Sequence, residues 1–290
     1  MARPIVLIEF DPWSRPYLRE MTLGIRRFAE ECTQWQLIPS TLVGFPGQQQ
    51  PASAAIEGLI TDRRDGAESG LVSANVPRVL VGPGVLEVDL PWVGPDYAAI
   101  GRTACEFMLE RGYRSLAFFR NANPLRQDAT WMERGFLACA RQHGVEVPVL
   151  GIGPRTQARG LWDYDDQVAD VVDFVNAQPS PLGLICSDDP HAWRAAEACR
   201  LAGIQVPERV AVLGVGNDDF TCEFAHPPLS SIDIDYRRIG YVAAEMLLHL
   251  MNGQAVRRQT LKVNMEIIIR RSTEHVASAD RDVAAALQFI

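Results

Sequence analysis

Acidic and amide side chains gather where two apolar runs of the chain end. Leu182 to Cys186 is followed by Ser187, Asp188 and Asp189, and Val210 to Val215 by Gly216, Asn217, Asp218 and Asp219. Such groups accept hydrogen bonds from ligand hydroxyls, and they also cap helices and close turns; both roles stay open for these aspartates. His191 and Cys186 stand beside the first cluster and complete a set that poses acid/base or nucleophilic chemistry. Catalysis needs nucleophile, base and orienting group in mutual geometry, and one aspartate pair beside a histidine is a weak signal for it. The chain has no Gly-rich phosphate loop, no Gly-x-Ser-x-Gly elbow and no metal triad, so it is not expected to be an enzyme. Cys222 with His226, or Cys186 with His191, lacks a second pair at zinc spacing, and neither a metal nor a cofactor is expected.

The elements that must position these groups are legible around them. After Asp189, apolar residues recur at helical spacing through Ala192, Ala195, Ala196, Cys199 and Ala202, and Gly203 stands where a helix stop belongs. Val210 to Val215 is then a second β-branched run. Strand, helix, strand makes a parallel unit, and in such units ligands bind beyond the carboxyl ends of the strands. The same alternation runs upstream. Pro4 to Phe10, Trp35 to Val43, Ile56 to Thr61, Arg78 to Val81 and Pro91 to Val93 read as extended, and Tyr17 to Cys32 and the stretch after Asp96 read as helices. Ser115 to Phe119 reads as the strand that leaves a first lobe, Trp131 to Gly144 as the first helix of a second, and Val147 to Ile152 as a further strand. The fold class is α/β, with two doubly wound parallel-sheet lobes.

Composition narrows the function. With 290 residues, 47% of them apolar and 22% charged, the chain is long enough for two lobes. No run approaches the roughly 18 to 20 apolar residues of a membrane helix. The start, MARPIVLIEF, enters a strand without a signal-peptide pattern, so a cytoplasmic location is expected. The six cysteines show no CxxC pairing and read as small buried hydrophobes. At a net charge of −8, with no basic patch or arm, the chain itself is not expected to bind DNA.

The stretch DDPHAWRAAEACRLAGIQVPERVAVLGVGNDDF, then PPLSSID and RRIGYVAAEMLLHLMNG, resembles the last third of a lac-repressor-type sugar-sensing domain. It is most similar to the branch of the xylose-operon regulators, in which that sensor is fused to an AraC-type DNA-binding domain. The resemblance implies a periplasmic-binding-protein-like fold of type I, with two lobes joined by three crossings near 120 to 127, 225 to 235 and 252 to 262. One lobe would hold residues 1–120 and 235–252, the other 121–226 and 261–274. It implies a sugar effector such as a pentose in the interlobe cleft, homodimerisation, and DNA contact only through the AraC-type domain. A solute-binding receptor of a sugar transporter is the alternative that shares this clamshell.

The resemblance also sorts site residues. Asp96 falls where the family places a sugar-binding aspartate, and Tyr164, with Trp162 two residues earlier, where an aromatic lies against the sugar ring. Asp96, Asp188, Asp189, Trp13, Tyr17, Trp162 and Tyr164 are expected to face the cleft, with Asn217 beside them. Two anchors depart from the pattern. The family's sugar-clamping arginine lies three residues before the Gly135-Phe136 pair, which here is Met132. Arg134 is about 200° further round a helix, and Arg126 in the preceding loop is the other candidate replacement. Where the family has Gly-Val-Asp-Asn-Asp, this chain has Gly214-Val215-Gly216-Asn217-Asp218, without the carboxylate that takes two sugar hydroxyls. Either the ligand is not the usual pentose or the site has degenerated. Lys262 to Arg271 reads as a strand that crosses back, and Arg270 to Glu274 resembles the close of the sensor. Asp280 to Ile290 resembles the first helix of the AraC-type domain, with the stripe Val283, Ala286, Leu287 and Ile290 left to be covered by sequence beyond. Residues 275–290 are thus expected to be a linker and the start of that domain; the alternative is a C-terminal helix that folds back on the sensor.

Overall fold

The computed structural model describes residues 3–12, 15–42, 56–62, 75–82, 90–123, 127–152, 164–257 and 259–275. In chain order the elements are β1 (Ile5–Glu9), α1 (Pro16–Cys32), β2 (Gln36–Pro39), β3 (Ile56–Thr61), β4 (Arg78–Val81), β5 (Trp92–Pro95), α2 (Tyr97–Glu110), β6 (Ser115–Asn121), α3 (Gln127–Gln142) and β7 (Val149–Ile152). They continue as α4 (Tyr164–Asn176), β8 (Leu182–Cys186), α5 (Asp189–Leu201), β9 (Val210–Val215), α6 (Asp219–Phe224), β10 (Ser230–Ile234), α7 (Tyr236–Met251), β11 (Gln259–Leu261) and β12 (Met265–Ile268).

The elements form two compact units, Met1–Asp96 with Asp235–Asn264, and Tyr97–Ile234 with Met265–Ile290. The sheet of the first runs β11-β5-β4-β3-β1-β2 and is parallel throughout. The sheet of the second runs β12-β10-β9-β8-β6-β7, parallel except for the β10–β12 pair. Fully buried strands need apolar residues on both faces, as Val6, Leu7 and Ile8 and the whole of Leu182–Cys186 supply. Ala192, Ala195, Ala196 and Cys199 of α5 enter the second core as a flat face against the strands. Ala202 is exposed beyond the helix end, and Gly203 takes a φ of +70° at the stop.

Three expectations are corrected. The strand at Ser115–Asn121 does not close the first unit, because it pairs with β7 and β8. The boundary therefore falls at Asp96–Tyr97 and not near residue 120. Ser230–Ile234 likewise pairs with β9 and belongs to the second unit instead of leading out of it. The continuous strand expected over 262–271 is shorter: β11 ends at Leu261 on the first sheet, and β12 at Met265–Ile268 runs antiparallel on the second.

The helix α2 sits in the second unit for a reason written in its glycines. A Cβ on Gly101 would overlap the Met132 carbonyl oxygen, and one on Gly135 of α3 would overlap that of Ala98. In the first unit, α1 and α7 meet in the same reciprocal way. A Cβ on Gly24 would overlap the Arg237 carbonyl oxygen, and one on Gly240 that of Met21. Backbone-to-backbone approach leaves no room for a methyl group. Gly24→Ala and Gly101→Ala are therefore each expected to cost about 1–3 kcal/mol or more through overpacking, even though alanine is the better helix former by about 1 kcal/mol. Denaturant unfolding of both variants measures this, and a neutral alanine would show that the helix pairs separate freely.

Candidate functional site

Strand order decides where each sheet can hold a ligand. In the first unit β2 lies on one side of β1, while β3, β4 and β5 follow on the other. In the second, β7 lies on one side of β6, while β8, β9 and β10 follow on the other. The chain thus reverses direction across the sheet between β1 and β3, and between β6 and β8. Helices leave to opposite faces there and open a crevice beyond the carboxyl ends of the strands. The residues at those ends are Glu9, Thr61 and Asp62 in the first unit, and Asn121, Ser187 and Asp188 in the second.

In the second unit these ends are tied together. The Ser187 hydroxyl accepts from the Asn121 N–H at 2.9 Å, and the Ser187 N–H donates to the Phe119 carbonyl at 2.9 Å. Asp188 is the N-cap of α5, where its Oδ1 accepts the His191 N–H at 2.9 Å. The same oxygen lies 2.6 Å from His191 Nδ1. The ring edge of His191 rests against Phe119, with centroids 5.1 Å apart. Asp188 thus has the capping role weighed for it in the sequence, while remaining partly exposed.

Asp189, one residue on, is different. Its side chain is buried at 1% exposure, Oδ1 accepts from the Ser231 hydroxyl at 2.5 Å, and Oδ2 accepts from the Asp218 N–H at 2.7 Å. Burial pushes its carboxyl up to about 6, the two hydrogen bonds pull it back in part, and the charges of Asp188 and Asp218 push it further up. Asp189, expected to face a ligand, has both oxygens engaged by hydrogen bonds within the protein. This carboxylate also explains the glycines of the next strand end. A Cβ on Gly214 would overlap Asp189 Oδ1, and one on Gly216 would stand 3.3 Å from Oδ2. Gly216 has a φ of +121°, a backbone that L residues rarely adopt.

Asn217 follows at a φ of +49° and is held by the protein on two sides. Its N–H donates to the Ser231 hydroxyl at 3.0 Å, and its Oδ1 accepts from Arg270 at 3.1 Å. Arg270 was not singled out in the sequence as a site residue, yet it organises this loop. It also donates to the Leu229 carbonyl at 2.9 Å and to Glu223 at 2.6 Å. Ser272 and Thr273 complete the lock: Ser272 donates to the Val212 carbonyl at 2.6 Å, and Thr273 donates to Ser230 at 2.6 Å. The signal available in the sequence was a pair of arginines, Arg270 and Arg271, after an apolar strand.

Among the other expected residues, Tyr17 is half-buried on α1 with its ring 5.3 Å from that of Tyr236. Asp96, also half-buried, directly precedes α2, and its N–H donates to the Leu261 carbonyl at 3.1 Å. Arg134 is exposed on α3, while Met132 is fully buried in the core, where a guanidinium would have no water. Tyr164 is the first residue of α4, and its side chain, like Trp13, Arg126 and Trp162, lies outside the described residues. The nucleophile once posed at Cys186 is suppressed, because complete burial pushes its thiol well above the ordinary range and thiolate is the reactive form.

Asp189 makes stability depend on pH in a defined direction. Its folded value, about 6, lies above the ~3.9 of an unfolded aspartate, so the folded state holds the proton more tightly. The resulting stabilisation is full below about pH 4 and lost as pH rises through about 6. Asp189→Asn is expected to flatten that segment of the melting curve against pH. It should also cost about 1–3 kcal/mol, because one amide N–H then faces a donor. Gly216→Asp, which reinstates the aspartate of the related pattern, is expected to destabilise by about 1–3 kcal/mol from backbone strain. Scanning calorimetry from pH 4 to 8 checks both.

Comparison with known proteins fits these observations. Residues 105–273 match the periplasmic binding protein-like domain family. The chain is 26% identical over 251 residues to the xylose operon regulatory protein of Haemophilus influenzae, covering 81% of this chain and 62% of that protein. It is 26% identical over 197 residues to the HTH-type transcriptional repressor CytR of Escherichia coli K12, covering 68% and 56%. The chain thus spans about 60% of the length of the xylose regulators it matches. A solved structure of a xylose-binding transcription activator, xylR, superposes over 100% of this chain and 74% of the other, with a TM-score of 0.79 at 22% identity. A complex of the transcriptional regulator CelR with cellobiose superposes over 93% and 85%, with a TM-score of 0.69 at 21% identity. With the family match spanning more than half of its residues, and two sheets that each reverse strand order where such folds bind ligands, this chain belongs to the periplasmic binding protein-like domain family.

Proposed function

We propose that this chain is the effector-sensing domain of a sugar-responsive transcription regulator. The observation that carries the reading is the repeated strand reversal, with hydrogen-bonding side chains at the carboxyl ends of β1, β3, β6 and β8. Such an edge suits a small polyhydroxylated ligand, which offers donors and acceptors all round. The relatives are named as regulators of sugar operons or of transcription, one of them as xylose-binding, and this favours a regulator over a transporter's receptor. No catalytic step enters the reading.

Asp96, Asp188, Tyr17 and Asn217 are its ligand-facing residues, with Trp13, Trp162, Tyr164, Arg126 and Arg134 assigned the same role from the sequence pattern. A ligand that binds one conformation of the domain more tightly shifts the population toward it, by no more than that difference in affinity. DNA contact is assigned to sequence outside these 290 residues, since their net charge is −8. A cytoplasmic homodimer is the working form. Among the described residues no helix is long and apolar enough to cross a membrane.

A thermal-shift screen of the chain against pentoses, hexoses and polyols tests the reading. A ligand at one hundred times its Kd stabilises by about 2.7 kcal/mol, so a selective rise in Tm is expected for at least one neutral sugar. Asp96→Asn is expected to weaken that ligand tenfold or more. A chain that responds to none of the sugars would sink the assignment.

A further inference from the structure

The reversal point of the first unit holds a carboxylate that the protein leaves unsatisfied. Glu9 ends β1, in register with Thr61 at the end of β3, so it stands at the crevice between those two strands. It is 3% exposed, and neither Oε1 nor Oε2 has a hydrogen-bond partner among the described residues. Thr61, itself fully buried, places its hydroxyl 3.4 Å from the Glu9 backbone carbonyl, which leaves the carboxylate untouched. Buried acceptors are almost always paired, and an orphaned carboxylate with two free oxygens is costly. The contrast with Asp189 is direct: at the corresponding edge of the second sheet, each buried oxygen has its donor.

We propose that Glu9 is a ligand-binding and specificity-determining residue, whose two oxygens accept adjacent hydroxyls of a neutral sugar or polyol. The assignment rests on the sensor reading above and names the chemistry its site selects. Two neighbouring O–H donors match the two oxygens of a carboxylate, and hydrogen bonds to an ionised acceptor are the strong kind. Glu9 is thus a hydroxyl-accepting carboxylate at the reversal point of the first sheet. Charge narrows the ligand further. A carboxylate acceptor favours a neutral hydroxyl, which brings a proton to the bond, over an anionic group, which brings none. Sugar acids and sugar phosphates are excluded, while neutral sugars with adjacent hydroxyls are accepted.

The test uses the 290-residue chain, its Glu9→Gln and Glu9→Ala variants, and scanning fluorimetry with titration calorimetry. The probes are neutral pentoses, hexoses and polyols, with D-xylonate and D-xylose 5-phosphate as anionic counterparts. For the wild type, at least one neutral probe is expected to raise Tm and neither anion to do so. For Glu9→Gln, the Kd of that neutral probe is expected to rise tenfold or more, while the ligand-free Tm stays level or increases, because an unpaired buried charge is gone. Unchanged affinity in Glu9→Gln and Glu9→Ala would overturn the role of Glu9 and leave the sensor reading standing. A lower ligand-free Tm in Glu9→Gln would overturn it too, by showing the carboxylate to be a structural partner. Binding of xylonate in preference to neutral sugars would overturn the specificity. A wild type that responds to no neutral probe would overturn both the sensor reading and this assignment.

Discussion

One buried carboxylate shapes the second unit. Asp189 cannot sit in the interior uncompensated, and its two oxygens find the Ser231 hydroxyl on β10 and the Asp218 N–H in the loop after β9. Three consecutive strand ends are thereby knotted to the start of α5. The knot dictates sequence around it: no side chain fits at Gly214, and the loop then turns through a positive φ at both Gly216 and Asn217. Arg270 grips the far side of the same loop through Asn217 and Leu229. The glycine that departs from the related pattern at position 216 is therefore a coherent part of a packed, hydrogen-bonded edge. It is no simple deletion of a side chain.

Much of this was legible in the sequence, and the failures have physical causes. Apolar runs and an alanine stripe with a glycine stop located β8, α5 and β9, because burial on both faces of a parallel sheet leaves no other composition. Asp188 and Asp189 could not be told apart, since adjacent residues at a helix start differ only by about 100° of rotation. That rotation sends one carboxylate to cap the helix and the other into the core. The membership of α2 was misread because connectivity suggests that a helix stays with the strand before it. The Gly101 and Gly135 contact overrides connectivity, and only the pairing of two distant glycines would have revealed it. Glu9 had a signal that was passed over: a charged residue inside the run IVLIEF, where every neighbour is apolar.

The two units solve one problem in the same way. Each sheet runs outward from its second strand, each closes a helix pair through reciprocal glycines, and each opens a crevice where strand order reverses. They differ in how the crevice is furnished. In the second unit the strand ends are tied by internal bonds, from Asn121 to Ser187 and from Ser231 to Asp189. In the first, neither buried oxygen of Glu9 has a hydrogen-bond partner among the described residues.

That asymmetry bears on sensing itself. An unpaired buried acceptor costs about 1–3 kcal/mol, more when charged, and the cost falls on the unliganded protein alone. A ligand whose hydroxyls reach Glu9 removes it, so the carboxylate widens the gap between empty and occupied states. Only such a gap can move a conformational equilibrium. It also sharpens discrimination, because an analogue lacking one hydroxyl leaves a buried oxygen unpaired. Sites built to hydrogen-bond a hydroxyl reject its deoxy analogue far more strongly than apolar pockets reject a missing methylene. Selectivity of this kind needs only one carboxylate that is withheld from every bond the protein could make for itself.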